Sequence, residues 1–323
     1  MSRLATDGEI AALNLDSACR QAWARFGRAP RPQGLAETIV DMERLKLQFF
    51  GDTAALDRLE TLARVDGSPL VQAAAASAAH RFDEARRHLA RAPHEAAKHQ
   101  LLSIDQACGT DLDAVLTARR RLAGAGGRLE DLVPLGAVLA DLERFAEAAT
   151  VYREAHNAYS GTSPFPLAWV CFQLGQLWGE LMPEPDLDQA AQWYRSAVAY
   201  LPFFPKARVH LAEIYLGQGQ ASEAEALLLP VLSSRDPEVR WRLGDVLLAQ
   251  GRLEEAKAQL EVARLGFEEL LERHLLAFAD HAAEFYAGSG NDPRRALALA
   301  RTNAANRPTR RAMGQAHALE AAA

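Results

Sequence analysis

The stretch that decides the fold is Glu238–Leu265, with the sequence EVRWRLGDVLLAQGRLEEAKAQLEVARL. Its first half places apolar residues at the spacing of one helical face, from Trp241 to Leu247. Gly251 interrupts this pattern, since glycine readily leaves a helix through the left-handed conformation. A second amphipathic helix then starts at Leu253. The stretch therefore predicts a helical hairpin, and because one hairpin cannot bury its apolar face alone, neighbouring hairpins must stack on it.

The same pattern recurs along much of the chain. A small residue returns in the second helix of each hairpin, 32 to 42 residues after the previous one, at Ala148, Ala190, Ala224, Ala256 and Ala296. Weaker hairpins are predicted nearer the start, over residues 35–63, 69–92 and 94–122. The sequence contains no alternating strand pattern of convincing length, so we predict an all-α chain.

The pattern divides the sequence into three segments. We expect residues 1–128 to form degenerate N-terminal helical repeats and residues 129–308 to form the clearer repeats. The boundary follows the glycine-rich bend Leu122–Arg128. Residues 309–323 are expected to form a C-terminal capping helix and tail, because a terminal repeat needs a polar outer face.

The spacing of the repeated residues resembles the tetratricopeptide repeat, a helix-turn-helix unit of about 34 residues. The motif is a Leu-Gly pair followed by small, aromatic and small residues. It is found as Leu135-Gly136 with Ala148, Tyr152 and Ala155, as Leu174-Gly175 with Ala190, Tyr194 and Ala197, and as Leu243-Gly244 with Ala256, Leu260 and Ala263. The resemblance implies a right-handed α-solenoid of about seven such repeats with a C-terminal capping helix. It also implies a non-enzymatic scaffold that holds a protein or peptide segment on the concave surface lined by first helices.

Carrying the family's geometry over to this sequence gives a set of first-helix residues that are expected to face the groove. They are Trp169, Phe172, Gln176, Val209, Glu213, Trp241, Asp245, Asp280 and Glu284. Aromatic and acidic side chains would share this surface. The partner implied is therefore a segment that carries Lys or Arg beside a bulky apolar residue.

Charge and hydropathy exclude some classes of partner. The chain has a formal net charge of −6, and residues 134–291 hold 12 basic against 22 acidic side chains. Nucleic-acid-binding proteins usually carry a basic stripe, so we expect no nucleic acid. We find no apolar run near the roughly 18 residues of a membrane span and no secretory pattern at the start. We therefore expect a cytoplasmic protein, or a periplasmic one if a leader precedes this sequence.

Metal and cofactor chemistry has weak support in the sequence. His210 with Glu213 and His281 with Glu284 have a spacing found in carboxylate-bridged metal sites. The intervening repeat places Arg242 at the histidine position, and a cation there discourages metal binding. The sequence lacks phosphate-loop and zinc-protease motifs, and its three cysteines are far apart and typical of reduced core residues. We expect no metal, no cofactor and no enzymatic activity.

Two alternative functions remain open at this stage. The chain could be an accessory subunit of an enzyme or transport complex that docks through its arginine-rich C-terminus, which contains Arg294, Arg295, Arg301, Arg307, Arg310 and Arg311. It could instead bind a small molecule or metal through the two His/Glu pairs. The insert Tyr159–Pro166 is a second candidate contact surface, because long loops often carry function. The sequence does not predict the oligomeric state.

Overall fold

The computed structural model describes residues 5–28 and 32–322, and every regular element in these ranges is helical. The helices are α1 (Gly8–Phe26), α2 (Leu35–Phe50), α3 (Ala55–Asp66), α4 (Pro69–Ala78), α5 (Phe82–Leu89), α6 (His94–Ala107), α7 (Leu112–Gly126), α8 (Leu129–Asp141), α9 (Phe145–Ala158), α10 (Pro164–Gln176), α11 (Leu187–Tyr200), α12 (Pro205–Gly217), α13 (Ala221–Leu228), α14 (Pro237–Ala249), α15 (Leu253–Ala287), α16 (Pro293–Asn306) and α17 (Arg310–Ala322). The expected fold class, an all-α chain of helix-turn-helix repeats, is confirmed.

The helices group into two compact units. One unit contains the residues up to Leu15 together with Thr110–Val231, and the other contains Asp16–Gly109 together with the residues from Leu232 onward. The sequence divisions at residues 128 and 308 stay a prediction. Helix α7 continues to Gly126, through most of the glycine-rich bend, and the turn that follows is made by Gly127 with φ 57°.

Three repeats are closed by a glycine of the first helix that faces a large side chain of the second helix. A Cβ atom on Gly175 would lie 2.4 Å from the ring of Tyr194, and one on Gly136 would lie 2.6 Å from the ring of Tyr152. A Cβ atom on Gly244 would likewise lie 2.6 Å from the side chain of Leu260. These contacts explain the Leu-Gly pair in physical terms, because any larger residue would force the two helices apart.

The repeated small residues of the second helices occupy the tightest points of the hairpins. All five are completely buried: Ala148, Ala190, Ala224, Ala256 and Ala296. Aspartate N-caps fix where several helices begin, since Asp186, Asp236 and Asp292 accept backbone hydrogen bonds at the starts of α11, α14 and α16.

The unit that contains Asp16–Gly109 has separate apolar cores. Ile39, Leu59 and Leu62 lie at the centre of the N-terminal hairpins. Trp241, Phe267 and Phe285 lie at the centre of the C-terminal repeats. Helix α17 adds Ala312 and Ala316 to that second core.

Helix α15 joins the second helix of one repeat to the first helix of the next without a loop. Its helical geometry breaks only at His274, with φ −139° and ψ 47°. The side chain of His274 is 2 % exposed, and its Nε2 lies 3.1 Å from Asp57 Oδ1. The break therefore coincides with a buried contact to helix α3.

The hydropathy of the observed helices agrees with the sequence, in which we find no membrane-spanning pattern. Over residues 5–28 and 32–322, none of the helices combines the length and the apolar character needed to cross a bilayer.

Candidate functional site

Helix α10 carries three of the residues expected to face a ligand. Phe172 is buried, with 3 % exposure, while Trp169 and Gln176 are half-buried. The rings of Trp169 and Phe172 stack with centroids 5.5 Å apart. Val209 of the next first helix, α12, is also buried, with 2 % exposure. Trp169 and Gln176 are thus the members of this set that retain exposed surface.

Glu213, on α12, belongs to a cluster around His210. His210 Nδ1 lies 2.9 Å from Glu180 Oε1 and 3.3 Å from Glu213 Oε2. The hydroxyl of Tyr194 donates a hydrogen bond to Glu180 at 2.9 Å. The imidazole stacks on the Tyr194 ring and packs against the edge of Phe172. Both carboxylates are therefore held in fixed positions at the end of an aromatic cluster.

The charge of His210 is set by a balance between burial and its two carboxylates. Burial disfavours the protonated imidazole, but Glu180 and Glu213 outweigh it and raise the pKa of His210 to about 10. The ring is consequently cationic at neutral pH. Glu180 and Glu213 carry two negative charges, of which the imidazolium neutralises one. Their side chains are 26 % and 31 % exposed. The cluster thus presents one net negative charge.

Sequence reasoning missed Glu180. The residue lies in a short π-helical segment, Leu177–Leu181, which continues α10. The spacing from Gly175 to Ala190 is three residues longer than the spacing from Gly244 to Ala256, and this excess was the available signal. A longer loop would produce the same excess. A π-helical turn absorbs part of the excess and places Glu180 beside His210, and such turns are frequent at functional sites.

Trp241 and Asp245, on α14, are joined through Ser289. Trp241 is 3 % exposed, and its Nε1 donates to the Ser289 hydroxyl at 3.2 Å. That hydroxyl donates to Asp245 Oδ1 at 2.5 Å. Arg242 covers the Trp241 ring, with its guanidinium 3.6 Å from the ring centroid, and also lies 3.6 Å from Asp245 Oδ2. The side chain of Asp245, which is 20 % exposed, is therefore held by contacts with Ser289 and Arg242.

Asp280 and Glu284 are covered unequally by the C-terminal residues. Arg307 forms an ion pair with Asp280, whose side chain is 19 % exposed. Burial would raise the pKa of Asp280, but the charges of His281 and Arg307 hold it below its usual value. Glu284 is more open, with 42 % exposure, and lies 4.0 Å from Arg311.

The two His/Glu pairs of the sequence have different partners in the structure. His210 contacts Glu213, as its spacing suggests, but the Nδ1 of His281 lies 2.5 Å from Glu238 of helix α14. Within residues 5–28 and 32–322 no group of three or more His, Cys, Asp and Glu side chains has a geometry that could hold a metal ion.

The arginine-rich C-terminus is largely engaged in ion pairs. Four of its arginines contact carboxylates of the same unit, in the pairs Arg295–Glu268, Arg301–Glu320, Arg307–Asp280 and Arg311–Glu284. These pairs tie α16 and α17 to α15 and to each other. The cluster therefore has a structural role in closing the last repeats.

The insert Tyr159–Pro166 is folded back on itself. The hydroxyl of Tyr159 donates to the carbonyl of Ser163 at 3.0 Å. The carbonyl of Thr162 accepts a hydrogen bond from the backbone of Thr6 at 2.7 Å. The insert thus helps to attach the start of the chain to its own unit.

A cleft of about 280 Å³ opens beside the break in α15. Its lining includes the apolar residues Leu232, Val262 and Leu270. Its rim balances three arginines against three carboxylates, namely Arg235, Arg240, Arg273, Asp57, Asp236 and Glu269. The volume is at the lower end of the range for small-molecule pockets, about 300–1,000 Å³. The balanced rim favours neither a cationic nor an anionic ligand.

Comparison with known proteins agrees with the geometry of the repeats. Residues 184–236, which contain α11 to α13, match the model of the tetratricopeptide repeat. The resemblance to the tetratricopeptide repeat is confirmed. None of the curated proteins compared with this chain matches it.

Several solved structures of tetratricopeptide-repeat and related helical proteins are similar to this chain. The C-terminal part of a TPR repeat-containing protein from Cytophaga hutchinsonii is 13 % identical, over 87 % of this chain and 97 % of that one, with a TM-score of 0.38. YrrB, described as a TPR protein with an unusual peptide-binding site, is 17 % identical over 63 % and 98 %, with a TM-score of 0.35. A human IFIT1 dimer with m7Gppp-AAAA is 15 % identical over 93 % and 73 %, with a TM-score of 0.39. These likenesses concern the fold alone.

Proposed function

We propose that this tetratricopeptide-repeat chain is a non-enzymatic scaffold that binds a protein segment carrying basic and apolar side chains against its first helices. One observation carries the proposal. The same position of successive first helices holds a partly exposed carboxylate, with side-chain exposures of 31 % for Glu213, 20 % for Asp245 and 42 % for Glu284. Gln176 occupies the equivalent position on α10.

These carboxylates are held by neighbours but keep acceptor capacity. A carboxylate has about four lone-pair positions, and the side chains of Glu213 and Asp245 keep 31 % and 20 % of their surface exposed to a donor from a ligand. Because the neighbours fix each carboxylate, little side-chain entropy is lost when a lysine or arginine binds. Such a surface favours cationic segments.

The apolar residues have two proposed roles: one contacts the ligand, and the others hold the first helices in place. Trp169 is half-buried, so we assign it the contact with an apolar side chain of the ligand. Phe172, Val209 and Trp241 are buried. We propose that these three act by holding the first helices in place beneath the carboxylates.

The cysteines support a non-enzymatic role. Burial raises the pKa of Cys19 to about 11 and that of Cys171 to about 12. Burial also raises the pKa of Cys108. All three thiols therefore stay protonated at neutral pH, and a protonated buried thiol is a poor nucleophile.

Two alternative roles receive less support. Docking through the C-terminal arginines would have to compete with the four ion pairs that they already form. Nucleic acid would meet a chain with a net charge of −6, whereas phosphate backbones bind basic surfaces. A protein segment with positive charge fits this surface better than either.

The test is charge reversal at two of the carboxylates. Glu213→Lys with Asp245→Lys should abolish binding of a labelled peptide that alternates Lys or Arg with Leu and Trp, measured by fluorescence anisotropy. The matched control is Glu223→Lys with Glu254→Lys, which makes the same charge change on exposed second-helix positions of the same two repeats. Undiminished binding by the first variant, with its circular dichroism unchanged, would exclude the proposed surface.

A further inference from the structure

The turn between α4 and α5 lies against a distant helix of the same unit. His80, in this turn, has φ 55°, and its ring stacks on Phe82 with centroids 5.3 Å apart. The ring Nδ1 lies 3.2 Å from the carbonyl oxygen of Leu276 in α15. The backbone carbonyl of His80 accepts a hydrogen bond from Asn306 Nδ2 at 3.0 Å. Two hydrogen bonds thus join the turn to α15 and α16.

The contact falls on the side of α15 that carries the last repeat's carboxylates. Leu276, Asp280 and Glu284 follow at intervals of four residues and therefore lie along one helical face. The His80 ring meets this face at Leu276 and is close enough to Asp280 for their charges to interact. The turn consequently covers the end of the face on which we place ligand binding.

We propose that the turn around His80 is an intramolecular latch over the Leu276–Asp280 part of the face of α15, and that protonation of His80 releases it. The latch would limit access of a basic segment to Asp280, so this inference rests on the proposed function. Its occupant is a segment of this chain, defined by His80 and Phe82.

Several charged groups face the His80 ring. Asp280 and His281 approach from α15, and Arg307 approaches from the residue after α16. Burial and, to a smaller extent, the charge of Arg307 lower the pKa of His80 to about 4, although Asp280 opposes the change. The ring is therefore neutral at pH 7 and donates one hydrogen bond to Leu276. A proton on the ring would put a second cation beside Arg307 in a half-buried site.

Because the pKa of His80 is lowered in the closed state, the effect of pH on the latch can be predicted. A histidine whose pKa is lowered in the closed state binds protons more readily once released. The closed latch is therefore fully favoured above the ordinary histidine pKa of about 6.5 and is progressively lost as the pH falls towards 4.

Other contacts also join the N-terminal hairpins to the C-terminal helices of the same unit. Release of the turn around His80 would therefore be local. Asp57 is held by Arg273 and by His274, and the Ser234 hydroxyl bonds the carbonyl of Phe50 at 3.2 Å. These contacts lie on α2, α3, α15 and the segment before α14. They would keep the N-terminal hairpins in place while the turn moves.

The experiment uses a fixed charge at neutral pH, because a pH change would also titrate other histidines. Hydrogen exchange of the full chain is compared for wild type, His80→Arg and His80→Gln. The two variants share the strain of a long side chain at positive φ, but only arginine adds the charge. His94→Arg, at a side chain that is 86 % exposed, is the matched control.

We expect His80→Arg to speed exchange in residues 77–84 and 274–284 by about tenfold, as expected for local opening, while His80→Gln and His94→Arg change it little. Asn306→Ala should speed exchange in the same turn without introducing a charge, and it serves if His80→Arg does not fold. Unchanged exchange in both His80→Arg and Asn306→Ala would overturn the latch. Faster exchange with no binding of the basic peptide by any variant would leave the latch standing and reject the proposed function.

Discussion

Glu180 Oε1 lies 2.9 Å from His210 Nδ1, although the two residues belong to different repeats. The contact exists because a π-helical turn ends α10 and directs Glu180 towards α12. It converts a histidine buried among aromatic rings into a fixed cation between two carboxylates. The candidate surface of this unit is organised around that ion.

We predict that His210→Gln destabilises the protein by about 1–3 kcal/mol, because two partly buried carboxylates lose a charged hydrogen-bond donor. The measurement is urea unfolding at neutral pH. His99→Gln provides a control at a surface position of α6. Equal midpoints for wild type and His210→Gln would show that the cluster does not contribute to stability.

The same histidine predicts a pH dependence at alkaline pH. The pKa of His210 is raised in the folded chain, to about 10. The contribution of this histidine to the free energy of unfolding is therefore fully present below about pH 6.5 and is lost as the pH rises through 10. Wild type should therefore lose more stability than His210→Gln between neutral pH and pH 10, as measured by denaturant unfolding. Parallel curves for the two proteins would contradict the assignment of the charge.

Ala256→Leu should overpack the contact between α14 and α15. Ala256 has no exposed surface, and inserting a larger side chain into a packed core costs about 1–3 kcal/mol. Ala258→Leu, two residues along on the exposed face of α15, makes the same change without a packed neighbour. A melting temperature that falls equally in both variants would mean that the register of this repeat is wrong.

Asp57→Ala should destabilise the unit that contains α3 and α15. It removes the carboxylate that both Arg273 and the buried His274 contact, and an unsatisfied buried donor costs about 1–3 kcal/mol. Asp83→Ala, at a side chain that is 91 % exposed, is the control. Thermal unfolding unchanged by Asp57→Ala would show that this contact between α3 and α15 is not formed in solution.

The repeats could be predicted because their determinants are local. Gly175 and Ala190 mark points where two helices touch, and the restriction on size at such points leaves a periodic signal in the sequence. Trp241 and Phe172 were placed on the correct helices for the same reason. Their burial could not be derived, because helical spacing does not say which side of a first helix meets the next repeat.

The contacts between distant segments left no comparable signal. His80 and Leu276 are separated by 196 residues, and His281 is paired with Glu238 across two helices. Each contact depends on how hairpins are stacked, which periodicity within one hairpin does not record. Glu180 was missed for a related reason, since a π-helical turn and a longer loop produce the same spacing in the sequence.

The central claim is that fixed carboxylates on the first helices select a basic, partly apolar segment. The most direct measurement is the affinity of wild-type protein for two labelled peptides with the same Leu and Trp residues, one with Lys and Arg and the other with Asp and Glu between them. We predict that the basic peptide binds, that its affinity falls steeply as salt rises above about 0.1 M because exposed charges are then screened within about 10 Å, and that the acidic peptide does not bind. Equal affinity for the two peptides, or binding of the basic peptide that is insensitive to salt, would contradict the account.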